Sequence, residues 1–305
     1  MPLNSQIADV LANLPAPPEG PLDPVVMRAG EEDQVAPVSL RLPLHAVEDV
    51  VAGEVPVRIY TPAAADSYGV LVYFHGGAFF LGSVSTHDHV ARNLAKETGL
   101  KVISVDYRRA PEAAFPAGLD DCLAVVKWVA DNGDALTWNG QTLALAGDSS
   151  GGTFVAAVAA LAHDEGFDRI THQVLFYPSL DLDFDVDRYA SLRHNAEGYG
   201  VETAGLKYFN SFYFDSGADA ADPRVSPIKR EDLTGLPPAL VITAEFDPMR
   251  DEGELYGERL QKAGVAATIS RYAGANHGFI QNFSWIPEYH KAFEETAAFL
   301  RSTGE

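Results

Sequence analysis

The sequence predicts an α/β fold, built on a mostly parallel sheet with helices on both sides. Three observations carry that expectation. Short β-branched runs recur along the chain, helical patterns lie between most of them, and several runs are almost unbroken in their apolar character. A strand covered on both faces has no solvent side to alternate with, so continuous apolar runs mark strands between two helical layers. Strand–helix alternation makes such strands parallel.

The elements follow in order. Residues 1–20 read as a weak amphipathic helix around Ile7, Val10, Leu11 and Leu14, stopped by Pro15, Pro17 and Pro18. Residues 21–45 mix Pro, Gly and acids and read as irregular. Strands are expected at Val57–Tyr60, Val70–Phe74, Val102–Val105, Thr142–Ala146, Val174–Tyr177, Ala239–Thr243 and Ala267–Arg271. Helical patterns occupy His87–Thr98, Gly118–Asp131, Gly152–Asp164 and Glu252–Ala263. Segment 180–235, rich in Asp, Tyr and Phe, lacks the strand rhythm. The expected organisation is therefore an N-terminal cap segment (1–45), an α/β domain (46–180 and 236–305) and a cap insertion (181–235).

With 305 residues and 47% hydrophobic content, the chain can bury one large core or a core with an accessory lobe. Its 43 acidic against 22 basic residues give a net charge of −21. Phosphate binding needs clustered Lys and Arg, so nucleic acid is not an expected partner, nor is an anionic membrane surface. The acidity reads as solubility; attraction of a cationic substrate would require acids placed around the site. Cys122 is the one cysteine, so no internal disulfide forms, and its helical setting suits a buried, inert thiol. No Lys or Arg precedes Arg28 and no apolar stretch follows it, so a signal peptide is not expected and the default location is cytoplasmic.

The chemistry concentrates at four places. Leu143–Ala146 runs into Gly147-Asp148-Ser149-Ser150-Gly151-Gly152 and then into a helix. A G-x-S-x-G turn between strand and helix needs its glycines because the central serine takes a strained backbone, which holds its hydroxyl at the helix N-terminus. Ser149 is the centred residue and the candidate nucleophile; Ser150 offers its N–H to an oxyanion. Val70–Phe74 ends in His75-Gly76-Gly77-Ala78-Phe79-Phe80, where small residues let N–H groups point into a cavity. The expected oxyanion donors are Gly77, Ala78 and Ser150, with Gly76 the weaker substitute, while His75 is expected to hold the loop.

Among nine histidines, His277 sits in Gly274-Ala275-Asn276-His277-Gly278-Phe279, just beyond the last expected strand. His87 and His89 are two apart and face different ways on a helix, so no metal pair is expected. An order of Ser, then acid, then His is what this strand–turn–helix serine site demands. Asp247, at the end of Val241–Phe246 and followed by Pro248, is the candidate acid, with Glu245 as competitor. Asp181, Asp183, Asp185 and Asp187 alternate like the start of a calcium loop. Val186 stands at its glycine position and Leu192 at its closing glutamate position, so a solvated acidic loop is expected instead.

Together these residues resemble the hormone-sensitive-lipase-like family of bacterial esterases within the α/β-hydrolases. The resemblance runs from about Val57 to the C-terminus. It is carried by His75-Gly76-Gly77, Asp106-Tyr107-Arg108-Arg109-Ala110-Pro111-Glu112, Phe115-Pro116-Ala117, Gly147–Gly152, Asp247–Gly253 and His277-Gly278-Phe279. It implies an α/β-hydrolase fold with an eight-stranded, mostly parallel sheet and a helical cap. It also implies cofactor-free hydrolysis of short- to medium-chain acyl esters. Three residues depart from the family pattern: Ala78 for a third glycine, Ser150 for alanine and Arg109 for leucine. Phe79, Phe80, Asp148, Phe209, Phe212 and Tyr213 are candidate pocket residues. The expected partner is a small-molecule ester, with no metal, and the chain is expected to be a monomer or homodimer. An amidase or deacetylase on the same fold is the alternative, and a non-catalytic ligand receptor is the remoter one.

Overall fold

The computed structural model describes residues 2–14 and 20–302, so the helix stop expected at Pro15, Pro17 and Pro18 lies outside the described residues. One sheet of eight strands organises the chain: β1 Ala46–Ala52, β2 Val55–Thr61, β3 Tyr68–Phe74, β4 Lys101–Val105, β5 Trp138–Asp148, β6 His172–Phe176, β7 Ala239–Phe246 and β8 Ala267–Asn276. Its order is β1-β2-β4-β3-β5-β6-β7-β8. β2 runs antiparallel to β1 and β4, and the other neighbouring pairs are parallel.

The helices are α1 Ser5–Ala12, α2 Pro24–Glu32, α3 Asp88–Thr98, α4 Ala117–Asp131, α5 Ser150–Asp164, α6 Ser191–His194, α7 Leu206–Phe209, α8 Ser211–Asp215, α9 Arg250–Lys262, α10 Phe279–Asn282 and α11 Pro287–Ser302. Period-two alternation splits β3 between the two helical layers. Val70, Val72 and Phe74 pack with Cys122 and Val126 of α4, Phe154 and Val158 of α5, and Tyr256 and Leu260 of α9. Leu71 and Tyr73 pack with Val90 and Leu94 of α3 and Phe293 of α11. Every residue of β3 is buried, as its unbroken apolar run requires.

The three longest elements that the sequence does not reveal are β1, α2 and α11. β1 is an edge strand with Glu48 and Asp49 exposed, so no apolar run marks it. Helix α2 replaces the irregular chain expected over 21–45. Asp23 caps it by accepting from Val25 N (2.9 Å) and Val26 N (3.2 Å), and Pro24 opens its first turn. Helix α11 closes the second helical layer. In α1 only Ile7 is buried; Val10 and Leu14, expected on the same face, are 41% and 58% exposed.

The parallel register brings four strand ends to one edge. Phe74 pairs with Gly147, Asp148 with Phe176, and Phe246 with Asn276. The chain leaves the sheet there at each of the four places where the sequence concentrates chemistry. The insertion between β6 and β7 contains short helices and no strand among its described residues.

Candidate active site

Ser149 stands between β5 and α5 with φ 54° and ψ −120°, a conformation that costs an L-residue about 1–3 kcal/mol. The surroundings over-determine it. A Cβ on Gly147 would overlap the Gly151 carbonyl, and one on Gly151 would overlap the Phe74 carbonyl. The Ser149 N–H also donates to Phe176 O at 2.9 Å, tying the turn to the next strand. The glycines are therefore required by close approach of backbone to backbone.

Ser149 Oγ lies 2.9 Å from His277 Nε2, and His277 Nδ1 lies 2.8 Å from Asp247 Oδ2. Asp247 is fully buried, and its other oxygen accepts the Met249 N–H at 2.8 Å. The competitor Glu245 points elsewhere, accepting the Gly274 N–H at 2.7 Å. The insertion reaches the same place: Asn195 Nδ2 donates to the carbonyls of Asp247 (2.9 Å) and Glu245 (3.1 Å). Asn276 Nδ2 in turn donates to Tyr199 O at 2.9 Å. Neither asparagine carries a local sequence signature that would have revealed this stitching.

The loop after β3 takes three successive left-handed residues, Gly77 (φ 123°), Ala78 (φ 49°) and Phe79 (φ 66°). The Gly77 carbonyl accepts from Phe80 N (3.1 Å) and Leu81 N (2.7 Å). Gly76 N donates to Asp148 Oδ1 at 3.0 Å, so it is committed below the loop. Among the described residues, Gly77 N and Ala78 N have no acceptor, and both residues line the cavity above Ser149. Ser150 Oγ accepts the Phe79 N–H at 3.4 Å, linking this loop to the serine turn. Arg109, where the family pattern has leucine, donates to Gly82 O.

Beneath the loop lies a buried polar cluster. Asp148 accepts from Tyr73 Oη at 2.5 Å and faces His87 Nε2 at 3.7 Å. Burial alone would raise its pKa, but the His87 imidazole and the Tyr73 hydroxyl hold it below the ordinary carboxylate value. His75 stacks on Tyr107 at 4.3 Å and its Nδ1 lies 2.8 Å from Gly76 O. Burial, then the neighbouring His87, pushes the His75 pKa down to about 3, so it remains neutral and structural. Burial pushes the Cys122 thiol up, keeping it unreactive.

A cavity of about 230 Å³ stands over Ser149, walled by Glu31, Ala78, Leu81, Val201, Leu206 and Phe209 among others. Of the six expected pocket residues, only Phe209 and Asp148 line it. The carboxylate of Asp148 is pinned beneath the loop, so it serves as an anchor. Phe79 stacks on Tyr213 at 3.8 Å, and Phe80 packs on Phe212 at 4.9 Å. Those four are packing residues outside the cavity wall. The acidic stretch at 181–187 is solvated at Asp187 but differs from expectation at Asp181, which is fully buried, paired with Lys229 at 3.1 Å and Tyr189 Oη at 2.8 Å, and with Arg188. Protein cations and a phenol occupy its oxygens, where a solvated loop was expected. Among the described residues no cluster of His, Cys, Asp or Glu is arranged to hold a metal, and no helix is long and apolar enough to cross a membrane.

A family model described as alpha/beta hydrolase fold matches residues 71–281. Carboxylesterase NlhH of Mycobacterium tuberculosis is 37% identical over 281 residues, covering 86% of each chain. The arylesterase of Saccharolobus solfataricus is 39% identical over 74% of this chain and 73% of its own. A hyperthermophilic esterase from the archaeon Pyrobaculum calidifontis superposes with a TM-score of 0.89, at 40% identity and 99% coverage of both chains. This chain therefore belongs to the α/β-hydrolase family, in its hormone-sensitive-lipase-like branch, and is a serine hydrolase of carboxylic esters.

Proposed function

We propose that Ser149, His277 and Asp247 form the catalytic triad and that the N–H groups of Gly77, Ala78 and Ser150 form the oxyanion hole. The substrates of this reading are esters of short- to medium-chain acids. The observation that carries it is the pair of contacts from one imidazole, 2.9 Å to Ser149 Oγ and 2.8 Å to a buried carboxylate.

His277 Nε2 takes the Ser149 proton as Oγ attacks the ester carbonyl. Asp247, accepting at Nδ1, fixes the tautomer and stabilises the imidazolium. The carbonyl oxygen gains negative charge as the tetrahedral intermediate forms, and preorganised N–H groups meet it without reorganisation. His277 then protonates the leaving alcohol. Water, deprotonated by the same nitrogen, attacks the acyl-enzyme and releases the acid. The left-handed loop conformations are the backbone strain that aims adjacent N–H groups into the cavity.

The cavity supports the acyl range. At about 230 Å³ it is smaller than a typical drug-sized pocket. Val201, Leu206 and Phe209 separate it from an apolar hollow of about 930 Å³ walled by Leu3, Leu11 and Tyr208. We take the segments 1–45 and 181–235 as the cap, because they supply these walls. A series of aryl esters from two to about sixteen carbons, run beside Ser149→Ala, tests the reading. The wild type should favour short and medium chains, and Ser149→Ala should lose about 10⁶ in turnover by analogy with a serine protease. Wild-type activity in Ser149→Ala would remove the assignment.

A further inference from the structure

Glu31 lines the cavity over Ser149, as do Gly77, Ala78 and Leu81 of the loop that its carboxylate binds. It is half-buried, and its Oε2 accepts the Gly82 N–H at 2.9 Å. Nothing in the chemistry of ester hydrolysis calls for a negative charge there, since the reaction itself builds negative charge on the substrate oxygen. The neighbouring residues hold α2 in place. Arg28 donates to Phe80 O and Ala110 O, both at 2.6 Å, and to Glu112 at 2.8 and 2.9 Å. Ser83 Oγ donates to Glu32 at 2.5 Å. Glu31 is thus a fixed charge on a clamped helix.

The other charged groups of the wall do not offset it. Asp148 is also acidic, and its carboxylate is turned down onto Tyr73 and Gly76. Among the described residues no Lys or Arg lines the cavity. A half-buried charge lining a small cavity is screened less than one on the open surface and acts over several ångströms. The whole-chain charge of −21 adds to it in the same direction.

We propose that Glu31 is a specificity residue that turns away esters bearing a carboxylate near the scissile bond and admits those that are neutral or carry an ammonium group. The proposal rests on Ser149 as the reacting centre. Its test compares two matched pairs of esters. 4-Nitrophenyl hydrogen glutarate against 4-nitrophenyl pentanoate carries the charge on the acyl side. 3-(Butanoyloxy)propanoate against butyl butanoate carries it on the alcohol side. The readout is the ratio of kcat/KM for the anionic ester to that for its neutral partner, because Glu31 also holds Gly82 and either rate alone could move.

In the wild type the ratio should lie well below one for at least one pair. Glu31→Gln, which keeps an acceptor for Gly82 N–H, should raise that ratio about five- to tenfold. Glu32→Gln removes the adjacent charge outside the cavity wall and should leave it in place. Equal ratios in wild type and Glu31→Gln for both pairs would overturn the proposal, as would an equal effect of Glu32→Gln. Failure of the wild type to hydrolyse the neutral esters would count against the site itself, a different result.

Discussion

The floor and the roof of the cavity are built on different principles. The floor consists of chain leaving four strand ends, tied down by hydrogen bonds on either side of the free N–H groups of Gly77 and Ala78. Ser149 N is tied to Phe176 O, Asp247 to Met249 N, and Gly76 N to Asp148. The roof sets Glu31 from α2 around the same cavity as Val201, Leu206 and Phe209 from the insertion, three apolar side chains that line it. Hydrogen-bonded strand ends fix atoms closely enough for proton transfer. Apolar walls tolerate exchange of shape at small cost. The difference assigns rate to the floor and choice of substrate to the roof.

The sharpest way to break that division is Asp247→Asn. An amide can still accept from Met249 N, yet it disfavours the tautomer that leaves Nε2 free to take a proton. Turnover on a short aryl ester should fall by about 10⁴, by analogy with the same change in a serine protease. A loss under tenfold would mean that the floor does not orient its base through this residue.

A second test concerns the stability of the floor. Folded His75 stays neutral down to about pH 3, whereas the unfolded chain takes up a proton at that residue below its ordinary value of 6.5. The native state then binds fewer protons, so this group's contribution is complete above 6.5 and is lost as the pH falls towards 3. The loss approaches about 1.4 kcal/mol per pH unit. Denaturant unfolding between pH 7 and 5 should show a flatter dependence in His75→Gln than in wild type. Parallel curves would show that the buried cluster does not contribute to acid sensitivity.

The roof should answer differently. Phe209→Ala opens the partition between the 230 Å³ cavity and the 930 Å³ hollow. The preferred acyl chain should lengthen, with about a tenfold shift in the kcat/KM ratio of long to short esters, the scale of a pocket methylene contact. Unchanged chain preference would place selectivity in the floor after all.

Legibility in sequence follows the same line. The floor was readable because each part has a local cause: a serine between glycines at a strand–helix junction, an aspartate before proline, a histidine after the last strand. The residues of β3 could be read as a strand because both faces are covered. The roof residues come from segments far apart in the chain, and no short pattern says that Glu31 and Phe209 line one cavity. Phe79, Phe80, Phe212 and Tyr213 were expected there on aromatic character alone, and they pack against one another instead. Helix α2 had a readable start in Asp23 and Pro24, but its exposed Val25 and Val26 give it no apolar face to recognise.

The clamp that α2 places on the loop after β3 joins what the rest of the molecule keeps apart. Glu31 lines the cavity over Ser149 and holds Gly82, while Arg28 and Glu32 grip Phe80, Ala110 and Ser83. A change of substrate range made through Val201, Leu206 or Phe209 leaves the proposed oxyanion donors where they are. The same change made through α2 disturbs recognition and turnover at once. Laboratory selection for new esters should therefore accumulate substitutions in the insertion first, and reach α2 only alongside compensating changes in residues 77–83.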